Sequence, residues 1–133
     1  MSDMGFTPNL IASGTIAPFR LVTLSGAFTG AASNAITDYA VGVSDGSVNA
    51  YNGTNHAVSG GAITLQPSNT VELEVGTGGC TAGDFLMCVA SSGGTVTLAA
   101  GATAKSSYMA LQTGSAGEII RAFRFGYRGP IFA

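Results

Sequence analysis

The sequence predicts an all-β chain: a small β-barrel or β-sandwich of about 7–9 short strands, with extended N- and C-terminal segments. Three observations predict it. Runs rich in Val, Ile, Leu, Phe and Thr recur every 8–12 residues or so between Gly and Pro punctuation. No segment joins a capping residue, a 3.6-residue apolar period and strong helix formers. The Ala-rich pieces Gly30–Ala35 and Ala99–Ala104 are interrupted by Ser, Asn, Thr and Gly, which weakens any helix there.

In chain order, Leu10–Ser13 is the first expected strand, followed by Phe19–Leu24 and Asp38–Val43. Residues 44–69 are then expected to form an exposed excursion, a loop or an extra hairpin, polar and rich in Gly or Asn up to Gly61. Asn52-Gly53 is its turn pair, because both residues tolerate positive φ. Ala62–Leu65 is a weak strand within it, ended by Pro67. Thr70–Val75 is the clearest strand: Val71, Leu73 and Val75 alternate with Glu72 and Glu74, the pattern of one buried and one wet face. Asp84–Ala90 and Thr95–Ala99 make a hairpin through Ser91-Ser92-Gly93-Gly94. Ser107–Gln112 and Glu118–Phe125 complete the set. Residues 1–8 read as an arm with Met4 and Phe6 as anchors, residues 9–125 as one domain, and 126–133 as a tail.

Composition bounds the function. About half of the 133 residues are Gly, Ala, Ser or Thr, Trp is absent, and charged residues are 9%. Burial of a large apolar side chain contributes about 1.5–3 kcal/mol, and few are present, so modest monomer stability and burial against copies or a larger surface are expected. Lys105 and four arginines give a net charge of −2, too little clustered positive charge for nucleic acid. Arg121, Arg124 and Arg128 gather near the C-terminus and read as solubilising charge on an edge strand, or as a patch for an acidic partner. No stretch approaches the ~20 apolar residues of a membrane span, and no basic n-region or long apolar run marks a signal peptide, so synthesis in a cytoplasm is expected. Cys80 and Cys88 suit neither CxxC chemistry nor a zinc cluster, and read as small, partly buried thiols, with a disulfide open but not implied.

Catalytic patterns are thin. Gly42-Val43-Ser44-Asp45-Gly46 matches the nucleophile-elbow pattern, but a turn-like stretch follows where the elbow needs a helix. The lone His56 sits in the polar loop, eleven residues from Asp45, and one histidine cannot build a multi-histidine metal site. Glu72 and Glu74 share a face as a potential acid–base or cation pair, although alternation already accounts for them. Ala104 replaces the Gly that a phosphate loop needs before Lys105. The expectation is no enzyme, no cofactor and no metal.

With these residues placed, a resemblance carries further. "FRLVTLSG" (Phe19–Gly26), "DYAVGV" (Asp38–Val43), "VELEVG" (Val71–Gly76), "TAGDFLMCVASSGGTVTLAA" (Thr81–Ala100) and "ALQTGSAGEIIRAFRF" (Ala110–Phe125) follow one another in an order similar to that of small head decoration, or cement, proteins of tailed bacteriophages. The similarity spans about Leu10–Phe125, with 44–69 departing as a longer insertion. It implies an all-β protein, commonly a homotrimer, on the outer surface of the virion capsid, seated at junctions of the major capsid protein and stabilising the expanded head. Residues expected to touch capsid or neighbour are Met4, Phe6, Leu10, Arg124, Tyr127, Arg128 and Phe132; no family motif maps residue by residue onto Met1–Pro8 or Gly126–Ala133. A second reading is a carbohydrate- or receptor-binding β-module of a fibre or adhesin, with Tyr39, Tyr51, Tyr108 or Tyr127 as stacking platforms and Tyr51 the best placed. A small hydrolase would rest on Ser44 alone.

Overall fold

A computed structural model of the chain describes residues 10–46 and 57–128, the side chains of 127 and 128 excepted. Ten strands form two five-stranded sheets, and no helix occurs among the described residues. They are β1 (Leu10–Ala12), β2 (Leu21–Gly26), β3 (Thr29–Ala32), β4 (Ala40–Val43), β5 (Ala62–Ile63), β6 (Thr70–Glu74), β7 (Phe85–Cys88), β8 (Val96–Leu98), β9 (Ser106–Ala110) and β10 (Ile119–Arg128). The first sheet runs β4-β2-β3-β1-β5, the second β6-β10-β9-β7-β8.

Each sheet curls until its outer strands nearly meet. In the first, Ser44 and Leu65 form an antiparallel bridge, so the chain just beyond β4 pairs with the chain just beyond β5. The Gln66 amide donates to Val43 O at 2.9 Å and the Asp45 amide to Thr64 O at 2.8 Å. In the second, a parallel Val75–Val96 bridge draws the end of β6 to β8. Both closures use up backbone groups that an open edge would leave for another chain.

Two cores result. Leu10, Ala12, Ile16, Val22, Ile63 and Leu65 fill the first sheet. Its tight curl needs a residue without a side chain at Gly30, where a Cβ would lie 2.8 Å from Ile63 Cδ1 and 3.1 Å from Val22 Cγ1. The second core is built on Val71, Leu73, Val75, Leu86, Val96, Tyr108 and Ile120, and reaches across to Leu21, Ala40 and Val43. Strand β2 is therefore a shared wall: Leu21 faces the second core and Val22 the first. A register shift between Val22 and Thr23, opposite β4, lets Ala40 and Val43 both face the second core although they are three apart.

The expected strands recur with shifted ends, and four readings change. β3 occupies Thr29–Ala32, within a stretch read only as interrupted and Ala-rich; it pairs in parallel with β1 and antiparallel with β2, so pairing partners rather than its own propensity make it a strand. β2 starts at Leu21 because Phe19 adopts φ +62°, with its ring against Gly46. The excursion is not exposed throughout. Ile63 and Leu65 are buried and the Ala57 amide donates to Ile16 O, because the first core needs these side chains to close. β10 lies inside its sheet between β6 and β9, not at an edge, and continues through Arg128. The Asn52-Gly53 turn falls outside the described residues.

Candidate interaction surfaces

The two sheets are stitched along a polar seam. Arg20, just before β2, donates from Nη1 to the carbonyls of Ser92 and Gly93 at 3.4 and 3.3 Å, and from Nη2 to Glu74 Oε1 at 3.3 Å. The Leu21 amide donates to Gly94 O, which holds the β7–β8 turn against β2. Gly94 has φ +99°, and a Cβ there would lie 2.7 Å from Leu21 O, so both conformation and space demand glycine. Glu74 thus serves the seam, while Glu72 keeps the solvent-facing position expected of it. The pair does not act as one carboxylate site.

Ser44 belongs to the same seam. Its buried hydroxyl donates to Ala17 O at 2.7 Å and accepts from the Arg20 amide at 3.0 Å. A nucleophile elbow would present that oxygen at the head of a helix; here a backbone clip occupies it. His56 lies outside the described residues. No group of three or more His, Cys, Asp or Glu that could hold a metal occurs among the described residues.

The anticipated contact residues separate. Leu10 is 3% exposed inside the first core, so it holds the sheet together and offers no contact surface. Arg124 crosses between the sheets: Nη1 donates to Val41 O and to the Tyr108 hydroxyl, both at 3.2 Å, and its guanidinium lies 5.7 Å from the Tyr108 ring centroid. It is a clip and not a free cation. Tyr127 and Arg128 belong to the end of β10, where Arg128 pairs in register with Ser106. Met4, Phe6 and Phe132 lie outside the described residues.

Among the tyrosine platforms, Tyr108 is 2% exposed and unavailable for stacking. Tyr39 is partly exposed, with Lys105 Nζ 4.3 Å above its ring centroid. Tyr51 lies outside the described residues. Both cysteines are free and buried. Burial pushes the Cys80 thiol above its ordinary range, and pushes Cys88 up to about 11 with a further contribution from the Asp38 charge. Such thiols stay protonated and unreactive near neutrality.

Sequence reasoning missed two surfaces. One is the β2–β3 hairpin tip, where Phe28 stands 78% exposed with φ +50° beside exposed Leu24. The other is the outer face of the second sheet, where Phe123, Leu111 and Ile119 are exposed. Alternation in β10 signals the second, because Ile120 and Ala122 point inward. A shallow cleft of about 440 Å³ lies near Gly79, Asp84 and Ser115. The carboxylates beside it cap turns: Asp84 accepts from the Thr81 amide and Glu118 from the Ser115 amide.

No known protein family and no curated protein matches the sequence. The fold does have a solved counterpart: it is similar to the N base of the head fiber gp8.5 of bacteriophage phi29, with a TM-score of 0.60 over 88% of this chain and 91% of that one, at 12% identity.

Proposed function

We propose that this protein is a structural component of a bacteriophage head, a decoration protein that binds the outer capsid surface at junctions of the major capsid protein and stabilises the expanded head. The observation that carries the reading is the likeness of nearly the whole chain to the base of a phage head fibre. The order of sequence motifs, which resembles that of head decoration proteins, agrees with it. So does the chemistry: the seam uses its polar side chains to hold sheets together, and several large apolar groups stand exposed. A protein that binds only correctly spaced capsid subunits stabilises that spacing through its binding free energy, and many copies multiply a modest contact. In this reading the chain is not an enzyme, needs no cofactor, and works as a homotrimer.

The fibre base favours a second reading, in which the chain seats a projecting, receptor- or carbohydrate-binding module on the head. Co-sedimentation with purified heads tests the first. Binding to expanded heads and not to unexpanded precursors is expected; equal binding to both, or to neither, refutes it. The second expects glycan-array binding that Tyr51→Ala abolishes. For hydrolysis, turnover of an ester probe that Ser44→Ala removes would overturn the non-catalytic assignment.

A further inference from the structure

The outer face of the second sheet carries more apolar surface than its own fold requires. β10 turns Ile119, Arg121 and Phe123 outward, β9 contributes Met109, and Leu111 follows just beyond β9. Phe123 stands opposite Met109, and Met109 opposite Phe85, so one apolar row crosses three adjacent strands. Ile119, Phe123 and Leu111 are 42%, 41% and 49% exposed. Phe85 leans on Phe125 with ring centroids 4.9 Å apart, extending the row. Clustered exposed apolar side chains of this kind mark contact surfaces, whereas scattered ones do not.

Three charges sit within the same face, and one of them, Glu74 beside Ile119, is already paired with Arg20. Arg121 on β10 and Glu72 on β6 are register partners, both exposed. Among the described residues the ion pair formed is Arg20–Glu74; Arg121 and Glu72 do not close one with each other. With Glu74 neutralised by Arg20, an apolar face holding one further charge of each sign on neighbouring strands is complementary to itself. In a closed ring of identical subunits every copy gives one cation and receives one anion, so no charge is left unpaired as the apolar row is buried. A uniformly acidic or basic partner would leave one of the two unmatched.

We propose that this face is where one copy of the chain meets the next, the Phe123–Met109–Phe85 row forming the buried centre and Arg121 of one copy pairing with Glu72 of another. The inference rests on the self-association contained in the proposed function, and assigns it a surface. At such a centre, loss of an aromatic anchor or reversal of a paired charge weakens association by about tenfold or more.

Sedimentation equilibrium of the full chain over a range of concentrations tests this, with circular dichroism to verify folding. The wild type is expected to show a multiple of the 13.2 kDa chain mass. Phe123→Glu and Arg121→Glu should each shift the mass towards the monomer, and Glu72→Arg combined with Arg121→Glu should restore it. Phe28→Ser, on the other sheet, should leave it unchanged. If a charge variant does not fold, Leu111→Lys repeats the test on the same face. A monomeric wild type, or folded face variants that keep the wild-type mass, overturns the inference, as does a folded double swap that stays monomeric. Head co-sedimentation in parallel separates the two ideas. A monomer that binds expanded heads refutes this face alone, and an oligomer that ignores heads refutes the capsid reading alone.

Discussion

The two sheets reach closure by opposite means. The first curls around a few side chains, and Gly30 and Gly42 face inward because a Cβ at either would collide with Ile63 or Leu65. The second encloses larger groups, among them Leu73, Leu86, Tyr108 and Ile120, and borrows Leu21, Ala40 and Val43 from the first. A small barrel is closed either by removing side chains or by filling the space with them. Only the second way buries much apolar area, so the second sheet should carry most of the stability.

The sharpest way to break this contrast is truncation in each core. Leu73→Ala should fall near the top of the about 2–5 kcal/mol range for such truncations and Ile16→Ala in the first core near its bottom, as read from denaturant midpoints. Amide hydrogen exchange should show β1 and β5 opening at lower free energy than β9 and β10. Uniform protection in both sheets would erase the distinction.

Next in size is the turn that joins them. Gly94→Ala meets both a left-handed backbone and the Leu21 carbonyl, and should cost about 2–3 kcal/mol. Gly83→Ala has a similar φ of +93° but open space around it, and should cost about 1 kcal/mol. Equal losses in thermal unfolding would mean that the close approach to Leu21 is unimportant.

Arg20→Ala tests whether the seam couples the sheets. Three hydrogen bonds from a partly buried guanidinium are lost, and about 1–2 kcal/mol is expected. The decisive readout is cooperativity: the first sheet should begin to exchange ahead of the second.

The last effect is absent at neutral pH and emerges only in alkali. The Cys88 thiol titrates at about 11 in the fold against 9.0 when unperturbed, so the folded state holds its proton more tightly. Its contribution is fully present below pH 9 and is lost as pH rises from about 9 through 11, because the unfolded chain deprotonates first. Cys88→Ala should flatten that alkaline decline in a urea titration, and a thiol reagent at pH 8 should label Cys88 only after unfolding.

Strand β6 was legible because alternation over six residues admits one reading, and the β7–β8 hairpin because two glycines punctuate two apolar runs. β3 was hidden: Thr29–Ala32 contains no large apolar residue, since its inward position must be empty for the curl to close. The roles of Ser44, Arg20 and Arg124 were equally invisible, because each acts on carbonyls 24 or more residues away in sequence.

Composition and local pattern by themselves determined an all-β chain with small side chains, few charges and short strands, since alternation and turn chemistry act over a handful of residues. Only the tertiary structure decided that the strands divide into two curled sheets sharing β2, that β10 lies inside its sheet, and that Leu10 and Arg124 are spent internally. Those outcomes depend on which distant segments pair, and pairing is settled by the volume each core must fill, a quantity that no single segment encodes.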